Sequence, residues 1–257
     1  MHSLDHLPLW VFFTLVFLFS LFWTECGYRV GGHRRKLDPK EPEAPLGTVV
    51  ASILGLLAFM LGFTFNVAIN RYDDRREAVL NEANAIGTTY LRADFMDNQA
   101  RDSARKLLRE YVQLRVDGIL PTPEFRGVIA RSEVIQNELW TGATKLAKEH
   151  PTPISGLYVS TLNEVIDMHS KRITLGLHSR VPLSVWLVLF AVSALAMLSV
   201  GFYFGLTGNR SWAETIVLIV TFTLVMLLVA DLDRPHEGLI KASQQPMIDL
   251  HKQIGAP

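Results

Sequence analysis

The chain has 257 residues, of which 49% are hydrophobic and 19% charged, and its mean hydropathy of +0.22 is too high for an average soluble domain. Lys+Arg and Asp+Glu balance at 25 each, which gives no basic face for nucleic acid. A single cysteine, Cys26, excludes an intrachain disulfide.

The balance hides strong segregation, with charge-free blocks separated by charge-dense ones. Crossing a bilayer core of about 30 Å takes roughly 20 apolar residues. The first stretch that qualifies runs from Leu7 to about Gly27. It lacks a basic n-region and a small-x-small cleavage site after Trp23, so it reads as a span rather than a secretory signal. Glu25 before Cys26 likewise argues against a lipoprotein cysteine. A basic loop with Arg29, Arg34, Arg35, Lys36 and Lys40 follows.

The second span runs uncharged from Gly47 to Ile69. Phe59 and Phe63, at i and i+4, share one helix face. Asn66 and Asn70 extend that face, and Asp74 lies one turn beyond. Two readings fit the Phe pair: packing against lipid or another helix, or a ring that gates an ion path by dewetting. The amides fit either interhelical hydrogen bonding or a wet vestibule. Arg71, Asp73, Asp74, Arg75, Arg76 and Glu77 read as a membrane-proximal salt-bridge girdle whose balanced signs favour neither anion nor cation.

Residues 70–180 are polar and helical in pattern. The triplets Pro121-Thr122-Pro123 and Pro151-Thr152-Pro153 each stop one helix and start the next, with Thr as cap and the second Pro in the first turn. This predicts helices from Asn70 to about Leu120, with a bend near Asp97-Asn98, from Pro123 to Glu149, and from Pro153 to about Ser179. Each carries an apolar stripe and must bury it against partners. His169 lies on the third stripe and reads as a hydrogen-bonded interior histidine. The third and fourth spans follow at Val181–Gly208 and Trp212–Ala230, leaving a tail from Asp231.

The chain therefore divides into a first span pair (1–69), a helical region (70–180), a second span pair (181–230) and a tail (231–257). The fold class is all-α: a polytopic membrane protein with four transmembrane helices and a cytoplasmic helical bundle. Counting Lys and Arg near span ends, Arg71, Arg75, Arg76, Lys171, Arg172, Arg180, Arg234 and Lys241 outnumber the basic first loop and place both termini in the cytoplasm. No metal-ligand spacing, phosphate loop or nucleophile–base arrangement occurs, so neither catalysis nor a cofactor is expected.

The run Leu61-Gly62-Phe63, then Asn66, Ala68, Arg71-Tyr72 and Arg75 or Arg76, resembles the second transmembrane helix of bestrophins. Asp231-Leu232-Asp233-Arg234-Pro235 resembles the acidic-Pro segment after their last span. Among bacterial proteins the chain is most similar to the bestrophin-like group, through the motif from Arg71 to Phe95. The resemblance implies a bacterial inner-membrane, multi-pass homo-oligomer, a pentamer in bestrophins, that passes inorganic ions through a pore lined by its second helix. It implies a neck at Gly55, Phe59 and Phe63, a polar exit at Asn66 and Asn70, and a charged collar at Arg71, Asp74 and Arg75. Gly55 departs from the bulky residue usual in that neck. Bestrophins clasp calcium with an acidic cluster beyond the last span. The absence of an acidic run downstream of Asp231 and Asp233 argues against calcium gating. The competing reading is a non-conducting membrane scaffold or stress-response protein acting through its helical layer.

Overall fold

The computed structural model describes residues 8–37, 44–117, 125–177, 179–234 and 238–255. Eight α-helices occur among them: α1 Leu9–Leu37, α2 Ala44–Arg92, α3 Asn98–Asp117, α4 Phe125–Glu149, α5 Pro153–Leu177, α6 Leu183–Thr207, α7 Trp212–Asp233 and α8 Gln245–Ile254. The helices α1, α2, α6 and α7 are long and apolar enough to cross a membrane, which matches the four predicted spans. The first Pro-Thr-Pro triplet, Lys40 and Pro235 lie outside the described residues.

The chain forms two units, one of Met1–Arg71 with Arg180–Ile240 and one of Tyr72–Ser179 with Lys241–Pro257. In the first unit, α1 and α6 run parallel. Phe12 meets Trp186 with ring centroids 6.1 Å apart, and farther along Phe19 meets Phe190 at 5.6 Å. Beyond these rings the two backbones touch. A Cβ on Gly27 would lie 2.0 Å from the Leu198 carbonyl oxygen, and one on Gly201 would lie 1.9 Å from that of Thr24. Gly31 and Gly205, each one turn on, face Phe202 and Tyr28 in the same way, at 2.2 and 2.3 Å. Glycine at i and i+4 on both helices thus lets them approach without intervening side chains, where lipid gives no hydrophobic drive to associate.

Gly208 closes α6 in the left-handed region at φ 73, where its N–H still reaches the Phe204 carbonyl. The helix α7 then returns antiparallel. Arg210 just ahead of it pairs with Glu25 at 2.6 Å and lies between the rings of Tyr28 and Trp212, 4.5 and 3.8 Å from their centroids. At the other end, Arg180 donates to the Asp233 carbonyl at 2.7 Å and the Val181 N–H donates to the Asp233 carboxylate at 2.8 Å. The start of α2 lies beside the end of α6, with Gly47 next to the Tyr203 ring. Pro8, Arg71, Arg180 and Asp233 therefore share one end of this unit.

The second unit buries an apolar core of Ile86, Leu108, Val112, Ile135, Leu162 and Met247 from five helices. The expected bend near Asp97 is a full break: α2 ends at Arg92, Ala93–Phe95 form one 3-10 turn, and Met96 is extended. The Asp97 carboxylate then accepts the Ala100 N–H at 2.9 Å, capping α3. The second Pro-Thr-Pro triplet acts as read, because the Thr152 hydroxyl accepts the Ser155 N–H at 3.2 Å and the Ser155 hydroxyl accepts the Thr152 N–H at 3.1 Å. The tail forms α8, whose Met247, Leu250 and Ile254 are buried. Arg109 of α3 holds its end by donating to the Ile254 carbonyl at 2.9 Å.

Gly201→Ala is expected to force α1 and α6 apart and to cost about 1–3 kcal/mol, as overpacking does. Gly62→Ala, where a Cβ meets nothing within 4 Å, is the control and is expected to leave the thermal midpoint in detergent unchanged or raised. Equal midpoints for the two variants would contradict the backbone contact.

Candidate functional site

The helix α2 has two faces. Leu57, Leu61, Thr64 and Ala68, spaced by four, three and four residues, are buried within the first unit. The opposite side is open: Phe59 is 69% and Phe63 58% exposed, and Ser52, Gly55, Asn66 and Asn70 are exposed with them. The predicted neck and exit residues thus share one stripe. Gly55 leaves it unfilled, because a Cβ there would meet nothing within 4 Å. The Asn70 amide donates to the Asn66 side-chain oxygen at 3.0 Å, so the two form a short polar ladder along the stripe.

The predicted collar divides. Asp74 is exposed, whereas Arg75 is only 6% exposed and Arg71 is half-buried, and both arginines are engaged in interactions within the protein. Arg71 and Arg75 therefore do not stand on the open stripe with Asp74. The spacing alone places Asp73 and Glu77 beside it, and both are exposed. These two belong to the expected charged girdle, although the collar named only Arg71, Asp74 and Arg75.

Farther along α2, in the second unit, Glu82 is fully buried. Arg115 approaches its Oε1 at 3.1 Å through Nε, and Arg172 binds its Oε2. Arg172 also donates to the side-chain oxygen of Gln244. The Tyr111 hydroxyl lies 2.9 Å from Glu82 Oε1, 3.0 Å from His169 Nδ1 and 3.3 Å from Gln136 Nε2. A carboxylate only accepts, so the single hydroxyl proton of Tyr111 goes to Glu82. The tyrosine oxygen then accepts from Gln136 and from His169, which fixes the proton of a neutral His169 on Nδ1. The predicted interior histidine is thus found, with Tyr111 as its partner.

The charges follow this geometry. Burial pushes the Glu82 carboxyl up, but Arg115 and Arg172, with hydrogen bonds from Arg172 and Tyr111, outweigh it and hold it below the usual carboxylate range. Burial first, and then the Glu82 charge, raises the Tyr111 hydroxyl well above its ordinary value, keeping it a donor. Burial and the nearby Arg115 lower His169 to about 4, with Glu82 opposing and Arg172 adding to the effect. Glu82, Tyr111 and Arg115 were not expected as a set, since Tyr111 reads simply as a member of an apolar stripe.

The acidic residues in the last turn of α7 are engaged locally. Asp231 is 4% exposed, and its two oxygens accept the N–H groups of Leu239 at 2.8 Å and Ile240 at 3.2 Å. Gly238, at φ 119, passes so close that a Cβ would lie 2.0 Å from Asp231 Oδ1. Among the described residues no group of three or more His, Cys, Asp and Glu side chains is placed to hold a metal ion.

Residues 12–247 match the model of the bestrophin-like domain. The chain belongs to the bestrophin-like family. Its fold is shared with crystal structures of a bacterial bestrophin homologue from Klebsiella pneumoniae. One, carrying a tryptophan-to-alanine mutation, is 15% identical with a TM-score of 0.65, covering 97% of this chain and 96% of that one. Another is 16% identical with a TM-score of 0.63, covering 96% of each chain. A structure described only as that of a membrane protein aligns at 15% identity and a TM-score of 0.66, covering 96% of this chain and 95% of the other. None of the curated proteins matches the sequence. The bestrophin-like assignment spans both units and extends into α8, so the four-span, all-α architecture is that of the family.

The neutral, buried His169 makes the second unit acid-labile. Its folded pKa of about 4 lies below the ordinary 6.5, so the unfolded chain binds more protons between those values. Stability is therefore full above pH 6.5 and falls as the pH drops toward 4, by about 2 kcal/mol between pH 7 and pH 5. His169→Asn keeps a donor for Tyr111 without a titration. Thermal unfolding at pH 7 and pH 5 is expected to show a smaller loss for this variant than for wild type; an equal loss would place the acid lability elsewhere.

Proposed function

We propose that the protein is the subunit of a homo-oligomeric membrane pore lined by α2, passive and without a catalytic cycle. The observation that carries this reading is the open stripe on a span that its own chain barely covers. Only 11% of the apolar window of α2 is buried, against 22% for α1, 33% for α6 and 44% for α7. Lipid satisfies Phe59 and Phe63 on such a face, but not Asn66 and Asn70. A water-filled path between copies satisfies both, with the rings as a dewetting neck and the amides as its wet exit. Membership of the bestrophin-like family supports the same assignment, since bestrophins are pentameric channels lined by the second helix.

In this reading Gly55 leaves the outer part of the neck wide, and Phe59 and Phe63 form the narrow part. The end of the first unit that gathers Pro8, Arg71, Arg180 and Asp233 faces the cytoplasm of a bacterial inner membrane, as the basic residues near the span ends favour. The helices of the second unit then lie on the cytoplasmic side with both termini.

The test is ion flux through purified protein in liposomes, beside oligomeric state in detergent. Phe59→Ala and Phe63→Ala are expected to raise flux by about threefold or more with the oligomer intact, because a wider, less apolar neck wets more readily. A stable monomer, or an intact oligomer silent to monovalent salts across pH and calcium, would overturn the pore and favour the scaffold reading.

A further inference from the structure

We infer that residues 241–255 form an acid-released strap, tied at its start by Arg172 and let go when His169 takes up a proton. The device lies within the second unit and is independent of conduction. Its moving part is the amphipathic helix α8. Met247, Leu250 and Ile254 are buried in the core of this unit, and Leu250 sits over Gly87 of α2, where a Cβ would lie 3.3 Å from its Cδ1. Ten residues do not hold a helix in water by themselves, so α8 is ordered only while it stays docked.

Two arginines tie its ends. Arg109 of α3 donates to the Ile254 carbonyl at 2.9 Å. At the other end the Gln244 carbonyl accepts the Met247 and Ile248 N–H groups at 3.0 and 3.1 Å, which starts the helix. The Gln244 carboxamide donates back to the Ala242 carbonyl at 3.1 Å and gives its oxygen to Arg172. Arg172 is therefore shared: one nitrogen binds Glu82 and the other binds the strap.

His169 stands beside this joint. Its Nδ1 proton is committed to Tyr111, so a second proton must go to Nε2. That nitrogen is buried and meets no acceptor among the described residues. The groups around the ring give no relief. Glu82 of α2 lies 4.0 Å from Nδ1, but it already serves Arg115 of α3 and Arg172 of α5. Tyr111 of α3 and Gln136 of α4 are neutral, and the strap contributes the neutral Gln244. An imidazolium here makes three cations share one carboxylate, and burial with the nearby Arg115 already holds His169 down to about 4. Arg172 is the cation placed to leave, because its side chain is 16% exposed against 6% for Arg115 and 3% for His169. Its departure takes the donor from Gln244 and loosens the first turn of α8. Release uncovers the apolar surface beneath Met247 and Leu250.

Hydrogen exchange of the full chain in detergent, with labelling times scaled to the intrinsic rates at pH 7.5 and pH 5, tests this. Full relief of the His169 shift on release would raise opening about thirtyfold between these pH values. In wild type, protection of 245–254 is expected to fall by about tenfold or more at pH 5, and to lie about tenfold or more below that of α4. His169→Asn is expected to keep α8 within about threefold of its neutral-pH protection. Gln244→Ala, which leaves His169 in place, is expected to lower α8 protection at pH 7.5 by about threefold or more. Unchanged α8 protection at pH 5, or a fall that brings it no lower than α4, refutes the strap. So does a full acid response in His169→Asn, or wild-type protection of α8 in Gln244→Ala.

Discussion

The rotation of α2 about its own axis is the constraint on which the rest of the molecule depends. It is fixed twice by different physics. In the first unit, burial of Leu57, Leu61, Thr64 and Ala68 sets which side faces inward. In the second unit, Glu82 sets it again, because a carboxylate can be buried only where cations and donors already wait. Turning the helix by one residue, about 100°, would swing Glu82 away from Arg115 and Arg172 and leave one buried and one half-buried guanidinium group short of a counter-charge. Breaking a buried pair in that way costs about 3–5 kcal/mol. In the first unit, the exposed stripe is what remains when this inward face is satisfied.

The chemistry around Glu82 also explains why a histidine serves there without acting as a base. Arg115 and Arg172 already exceed the single carboxylate by one positive charge. An imidazolium beside them would add a third cation in a dry site, so His169 stays neutral and donates from Nδ1 to Tyr111. Tyr111 can then give its one proton to Glu82 while accepting from both His169 and Gln136. Each member fixes the proton position of the next. Such a network specifies one arrangement of α2, α3, α4 and α5 more than it adds stability.

The parts of this architecture that were legible in the sequence are those with a local signal. Four long apolar runs, two of them wholly uncharged, gave four spans, and Thr152 between two prolines gave the start of α5, because capping is decided within four residues. The features that were not legible depend on register between distant segments. Gly27 and Gly31 read as ordinary span glycines until Gly201 and Gly205 are set opposite them, more than 170 residues later in the chain. The stop at Arg92 was hidden because the apolar stripe of α2 and that of α3 have the same period, and only the cap at Asp97 separates them. The ten-residue α8 is too short to stand on periodicity alone. The collar was half legible: helical spacing put Asp74 beneath Asn70, but the inward turn of Arg75 is set by the buried face on which it lies.

The acidic residues in the last turn of α7 serve the structure. Asp231 gives both oxygens to backbone N–H groups across the turn at Gly238, and Asp233 gives one to Val181 at the start of the return to α6. A cation entering here would have to displace these amides, each a charge-assisted hydrogen bond whose N–H would lose its acceptor. The turn would have to open as well, since Gly238 leaves no room beside Asp231 Oδ1. In this chain the segment thus works as a clasp between the end of α7 and the start of α6. The exposed carboxylates, by contrast, lie on α2. The two acidic groups differ in what holds them: those in the last turn of α7 are engaged by backbone donors, while Asp73 and Asp74 are exposed.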